Sequence, residues 1–195
     1  MNHQERIASL MPKRVRLFLW YKSTNGSGEA KLTQSLEEII HQTLIERGLT
    51  LSLAESCTGG SVSSRITKLP GCSQYFLGSV IAYCNEMKIR ILGVDQEILL
   101  NSGAVSREVV ELMANGVMQL IGSDYSVAIS GIAGPSGGTT EKPVGTIWAA
   151  ICKKNYPIYT WSFQLKGNRQ EIINQSAEIV LQKLLYFLKN ESNVS

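Results

Sequence analysis

Histidine is almost missing from this chain: of 195 residues only His3 and His41 carry an imidazole. The four cysteines, Cys57, Cys72, Cys84 and Cys152, form no C-x-x-C pair. Neither a metal site nor a histidine-based triad is therefore expected, and any hydrolytic chemistry must take its base from Lys, Tyr, Glu or Asp. Long apolar runs are lacking as well. RVRLFLWY (Arg14–Tyr21) is too short to cross a bilayer and has no small-residue cleavage site, so no membrane partner is expected and the compartment reads as cytoplasmic. Charge of one sign is absent from the body of the chain. The net charge of +3 resolves into +4 over residues 1–31 and −1 over the rest, which argues against a nucleic-acid partner for the core. Hydrophobic residues, at 44%, still suffice for one folded domain with an appendage.

What is present divides at about residue 31. Pro12, the basic cluster Lys13–Arg16 and STNGSGEA (Ser23–Ala30) read as a basic N-terminal tail and linker over 1–31. VRLFLWY within it reads as poorly ordered, with an added edge strand or a partner contact as alternatives. Residues 32–195 read as the domain. Ser35 with Glu38 predicts a capping box for a helix with Leu36, Ile39, Ile40 and Leu44 on one stripe, stopped by Gly48. A strand over Leu49–Ala54 leads to a helix from about Thr58 to Lys68, then to a strand from Phe76 to Tyr83 and a further helix. Ser106 predicts an N-cap for a helix burying Val109, Val110, Met113, Val117 and Leu120. Strands follow at Asp124–Ser130, Val144–Cys152 and Tyr156–Leu165, the last two joined as a hairpin. A final helix opens at Asn168, with Glu171 completing a second capping box. The order αβαβααβββα implies an α/β fold, a mixed sheet covered on both faces.

Three polar clusters end strands in this reading: Glu55–Gly60, Tyr83–Lys88 and Ser130–Gly138. In an open α/β sheet ligands bind beyond the C-terminal strand ends, so parallel neighbours would bring the three together. In LSLAESCTGG (Leu51–Gly60), Ser56 is a candidate nucleophile at a strand end, and Gly59 and Gly60 allow close backbone approach. Amides at the opening of the next helix offer a site for an anion or oxyanion. A plain polar turn, with Ser56 or Thr58 capping that helix, is the alternative. Cys57 reads as a second possible nucleophile or as a buried spectator thiol. Lys88 falls in a first helical turn, where the helix dipole and burial would lower its pKa and suit it to act as a base; a solvated surface lysine is the alternative. Tyr83 ends the strand before it, and Asn85 suits the turn or an N-cap. GIAGPSGGTTEKP (Gly131–Pro143) is rich in glycine and could cradle a phosphate, though it matches neither a P-loop nor a dinucleotide fingerprint. Arg169 suits a phosphate partner.

AESCTGG (54–60), YCNEMK (83–88), GAVS (103–106), ISGIAGPSGG (129–138) and KPVGTIW (142–148) resemble the C-terminal domain of the CinA competence/damage-inducible family, in the family's order and over about residues 33–188. The resemblance implies a three-layer α/β/α fold with a mostly parallel mixed sheet. It implies hydrolysis of the carboxamide of nicotinamide mononucleotide to nicotinate mononucleotide and ammonia, in pyridine nucleotide recycling, with no metal or other cofactor. The implied catalytic set is Ser56, Tyr83 and Lys88: Ser56 attacks, and Lys88, tuned through Tyr83, takes the proton, with Tyr83 itself as the alternative base. The amides near Thr58, Gly59 and Gly60 would hold the oxyanion, and Asn85, Gly131, Gly134 and Arg169 would contact the nucleotide, the phosphate lying toward Gly131–Gly138. The alternative within the family is a non-catalytic nucleotide-binding or regulatory protein linked to competence or DNA damage. A homo-oligomer, with a dimer favoured, is also implied. The chain resembles the form that stands alone, without the molybdopterin-binding-like domain many members carry. Cys84, Met87 and Asn168 depart from the family pattern and bear on rate and substrate preference.

Overall fold

The computed structural model describes residues 34–190; the tail and linker expected over 1–31 lie outside them. Five strands form one sheet in the order β2-β1-β3-β4-β5: β1 Leu51–Glu55, β2 Phe76–Ile81, β3 Tyr125–Gly131, β4 Thr146–Lys153 and β5 Tyr159–Gln164. β1 pairs in parallel with both β2 and β3, while β4 runs antiparallel to β3 and to β5. Four strands therefore point one way and β4 alone is reversed, so the sheet is mixed and mostly parallel.

Helices α1 (Leu36–Glu46), α2 (Ser61–Thr67) and α6 (Arg169–Lys189) cover one face. Helices α3 (Asn85–Leu92), α4 (Gln96–Ser102) and α5 (Arg107–Ile121) cover the other. Side chains alternate across a strand, and here the alternation separates large residues from small ones. Leu51, Leu53, Val127, Ile129, Ile147 and Ile151 fill the face under α1, α2 and α6. Ser52, Ala54, Ser126, Ala128 and Ala150 lie on the alternate positions, and the alanines among them pack with α5. Short side chains let that helix approach closely, and Ser126 Oγ donates to the Ala114 carbonyl of α5 at 2.6 Å. α5 in turn receives α3 at Gly116, where a Cβ would stand 1.9 Å from the Leu92 carbonyl oxygen. That close approach fixes the helix that carries Lys88.

Both predicted capping boxes form, at Ser35 with Glu38 and at Asn168 with Glu171. Ser106 caps α5 by accepting from the Val109 amide. Three details differ from the sequence reading. α4 was not anticipated, although Asp95 caps it by accepting from the Glu97 and Ile98 amides. α2 begins at Ser61 and not near Thr58, because Gly60 adopts a left-handed conformation (φ 99°) that breaks the helix there. Leu120, expected in the buried stripe, is 56% exposed.

Candidate active site

Because β1 lies between two parallel neighbours, its C-terminal end meets theirs. The Ser56 amide donates to the Ile129 carbonyl of β3, and the Ala82 amide donates to the Glu55 carbonyl, so pairing continues to the last residue of the strand. Beyond that point the chain turns away, and Ser56 and Ala82–Tyr83 are left beside each other at the sheet edge. α3 starts two residues later and returns Lys88 across the gap.

Lys88 is 1% exposed. Its Nζ lies 3.1 Å from Ser56 Oγ, 2.8 Å from the Ala82 carbonyl oxygen and 3.5 Å from the Tyr83 carbonyl oxygen. No carboxylate is among these partners. Burial without a counter-charge disfavours the ammonium and holds the Lys88 pKa below its usual 10.5. Ser56 is 8% exposed, just accessible from outside.

Tyr83 enters this arrangement through its backbone. Tyr83 is 56% exposed, and its hydroxyl accepts a hydrogen bond from Arg169 Nη2. The same guanidinium donates through Nη1 to the Gly134 carbonyl at 2.8 Å. Arg169 thus ties the β2 end to the loop after β3, and the tuning of Lys88 expected from Tyr83 has no side-chain contact behind it. Asn85 is exposed at the first position of α3, and the N-cap is Cys84, which makes no side-chain capping bond.

The turn from Ser56 to Gly60 differs from the expected anion cradle. Glu55, 1% exposed, turns its carboxylate into the opening of α2. Oε2 accepts from Thr58 Oγ1 at 2.7 Å and from the amides of Gly60 at 3.0 Å and Val62 at 3.1 Å. Oε1 accepts from the Ser63 amide at 2.8 Å and from Ser63 Oγ. The Gly59 amide is bonded to the Ser56 carbonyl and that of Ser61 to the Thr58 carbonyl. Of the amides expected near Thr58–Gly60 for an oxyanion, those of Gly59 and Gly60 are therefore engaged within the protein. Among the described residues the amides of Cys57 and Thr58, directly after the nucleophile, make no backbone hydrogen bond, and the Cys57 amide lies against its own sulfur. Sequence reading grouped Glu55 with reactive side chains and missed Ser63. The available signal was Gly60, which as N-cap has no side-chain oxygen and so requires an acceptor from elsewhere.

Cys57 is buried, and burial pushes its thiol up to about 12, so the thiolate a nucleophile needs is not available at neutral pH. Its sulfur packs against Gly131, where a Cβ would lie 3.2 Å away and would also overlap Ile147. The loop between β3 and β4 is exposed from Pro135 to Glu141 and anchored at its ends. Arg169 holds Gly134, and Lys142 Nζ donates to the Ser102 carbonyl of α4 at 2.7 Å. Among the described residues no three His, Cys, Asp or Glu side chains gather as a metal-binding group, and no helix is long and apolar enough to cross a membrane.

A Ser–Lys pair at the end of a parallel strand, with a glycine-rich loop and an arginine beside it, is the setting in which the relatives of this chain become informative. The family model for the CinA C-terminal domain matches residues 33–188. A CinA-like protein of Desulfotalea psychrophila is 44% identical over 156 residues, which is 79% of this chain and 37% of that protein. A putative competence-damage inducible protein of Halothermothrix orenii is 44% identical over 79% of this chain and 36% of its own length. The chain thus spans well under half the length of these curated relatives. The crystal structure of a competence/damage inducible protein from Agrobacterium tumefaciens is similar with a TM-score of 0.76 and 33% identity, over 83% of this chain and 99% of that one. That of a competence damage-inducible protein from Klebsiella pneumoniae also gives a TM-score of 0.76, at 29% identity over 82% of this chain and 97% of that one. The chain belongs to the CinA C-terminal domain family.

Proposed function

We propose that the chain is a serine amidohydrolase that converts nicotinamide mononucleotide and water to nicotinate mononucleotide and ammonia. The observation that carries this reading is Lys88 Nζ, buried, without a carboxylate partner, and 3.1 Å from Ser56 Oγ. Burial lowers the Lys88 pKa and so favours its neutral form, in which the amine has two N–H groups and one lone pair. Two backbone carbonyls, of Ala82 and Tyr83, take the N–H groups, which leaves the lone pair for the Ser56 hydroxyl. That is the requirement for a general base acting on a serine nucleophile.

In the reaction, Ser56 Oγ bonds to the carboxamide carbon as its proton passes to Lys88 Nζ. The negative charge moves to the carboxamide oxygen, facing the amides of Cys57 and Thr58. Collapse of this intermediate breaks the C–N bond, and the proton held on Lys88 leaves with the nitrogen as ammonia. Water then adds to the nicotinoyl ester with Lys88 again accepting a proton, and Ser56 is released. The positively charged pyridinium ring makes the carbonyl carbon more electrophilic and suits the exposed face of Tyr83. Arg169 has N–H donors beyond its bonds to Gly134 and Tyr83, and these, beside the exposed Pro135–Gly138 stretch of the loop, suit the phosphate.

The test is ammonia release from nicotinamide mononucleotide by the wild type and by Ser56→Ala, with a chelator present. The expected result is release by the wild type and a loss of more than about 1,000-fold in Ser56→Ala. A folded wild type that binds the nucleotide by calorimetry but releases no ammonia would instead favour the binding-module reading.

A further inference from the structure

The Glu55 carboxylate is the one buried acidic group beside the nucleophile, and the reaction above gives it no step. It accepts five hydrogen bonds, from Thr58 Oγ1, the amides of Gly60, Val62 and Ser63, and Ser63 Oγ. It makes no bond to Lys88 or to Ser56. Every one of its partners lies between three and eight positions further along the chain, so the carboxylate folds its own downstream segment around itself.

Two consequences follow for the turn. First, the amides that the start of α2 would leave unpaired are satisfied internally, so neither a phosphate nor an oxyanion can bind there. Second, the backbone leaves the strand at Ser56 with a single route, fixed at Thr58 and at Gly60. On that route, among the described residues, the Cys57 and Thr58 amides are the ones of the turn after Ser56 that bond neither to a backbone carbonyl nor to Glu55. Both consequences come from one side chain that never touches the reacting atoms.

We propose that Glu55 is a positioning residue: an internal acceptor that shapes the Ser56–Gly60 turn so that the amides of Cys57 and Thr58 form the oxyanion hole, with no part in proton transfer. This rests on the serine-amidohydrolase reading. The isosteric variant Glu55→Gln tests it, since one acceptor oxygen becomes an amino group facing N–H donors. A misplaced oxyanion hole slows both acylation and turnover while leaving the nucleotide contacts on Arg169 and the loop in place.

The experiment has two readouts on each variant whose cooperative melt is retained. One is kcat and KM for ammonia release from nicotinamide mononucleotide across pH. The other is the rate at which p-nitrophenyl acetate acylates Ser56, followed by intact mass. Glu55→Gln is expected to lower kcat and the acylation rate about 100-fold, with KM changed less than about 3-fold. The rise of kcat/KM with pH, set by Lys88, should stay where it is. Wild-type kcat and acylation in a merely less stable Glu55→Gln would overturn the proposal by reducing Glu55 to a structural cap. Disappearance of the pH-dependent rise would overturn it by making Glu55 the base. Should Glu55→Gln not fold, Thr58→Val removes one of the five bonds and keeps the amide. It is expected to cost about 10-fold in kcat and acylation at constant KM, and wild-type values would sink the idea. The ester separates this proposal from the substrate reading. Acylation that depends on Glu55 without ammonia release would end the nucleotide assignment and leave the positioning role standing. Ammonia release with acylation indifferent to Glu55 would do the reverse. No acylation of the wild type at all would overturn both.

Discussion

The two glycine-rich turns at the sheet edge resemble each other in sequence and behave oppositely in the fold. The turn after β1, Ser56–Gly60, follows an acidic residue that takes up the Gly60 amide and the Thr58 hydroxyl, and it is nearly closed to solvent at Ser56 and Thr58. The loop after β3, Ile132–Gly145, is exposed along most of its middle and is anchored by cations, Arg169 and Lys142, binding carbonyls at or near its ends. Glycine therefore does two different things here. In the first turn it lets the backbone wrap an internal carboxylate. In the second it accompanies a segment that stays exposed from Pro135 to Glu141. On the proposed function, the difference corresponds to chemistry at the first turn and recognition at the second.

Removing the base should break this division most severely. Lys88→Met is expected to lower kcat by about 100- to 10,000-fold while nucleotide binding by calorimetry persists, because the loop and Arg169 are untouched. Loss of binding in step with activity would merge the two turns into one site. The same residue predicts a pH dependence of stability. Its folded pKa is depressed, so between that value and 10.5 the unfolded chain binds a proton that the folded chain does not. Wild-type stability should consequently rise with pH relative to Lys88→Met across that window, as followed by thermal melts from pH 6 to 10. A constant difference would mean that Lys88 is not held neutral by the fold.

Arg169→Ala addresses the other turn. It should raise KM for the nucleotide about 10- to 100-fold, the scale of one charged hydrogen-bonding interaction. Acylation of Ser56 by p-nitrophenyl acetate, which has no phosphate, should change little. An equal fall in ester acylation would show that Arg169 acts on the first turn through Tyr83.

A smaller effect is expected behind the first turn, at Gly116. Because a Cβ there would overlap the Leu92 carbonyl, Gly116→Ala must push α3 from α5, at a cost of about 1–3 kcal/mol in denaturant unfolding. Activity should fall with it through Lys88, while nucleotide affinity is retained; unchanged kcat would show that Lys88 tolerates a moved α3. The smallest expected change concerns the thiols. Iodoacetamide at pH 8 should label exposed Cys84 and spare Cys57, whose thiol stays protonated. Peptide mapping reads this directly, and rapid labelling of Cys57 would reopen it as a nucleophile.

Much of the fold was readable because its signals are local. A capping box spans three residues, as at Ser35–Glu38 and Asn168–Glu171, and strand and helix periods repeat within a few more. The helix missed, α4, is only seven residues long and carries its one local signal at Asp95. The meeting of Ser56 and Lys88 was readable too, once strand ends were taken as convergent. What reading by residue type could not supply is which donor meets which acceptor. The family resemblance implied Tyr83 as a partner tuning Lys88, yet its hydroxyl is bonded to Arg169, 86 residues away.

The amino-acid sequence by itself determined all the elements but α4, their order, and the placing of Ser56 and Lys88 beyond strand ends, since these depend on short-range sterics, capping and apolar periodicity. Only the tertiary structure decided that Lys88 is buried between two carbonyls and a serine, and that Glu55 takes up the amides of Gly60, Val62 and Ser63 at the opening of the next helix. Those outcomes depend on which polar groups are removed from water together. That is a property of the packed sheet and helices and not of any one segment.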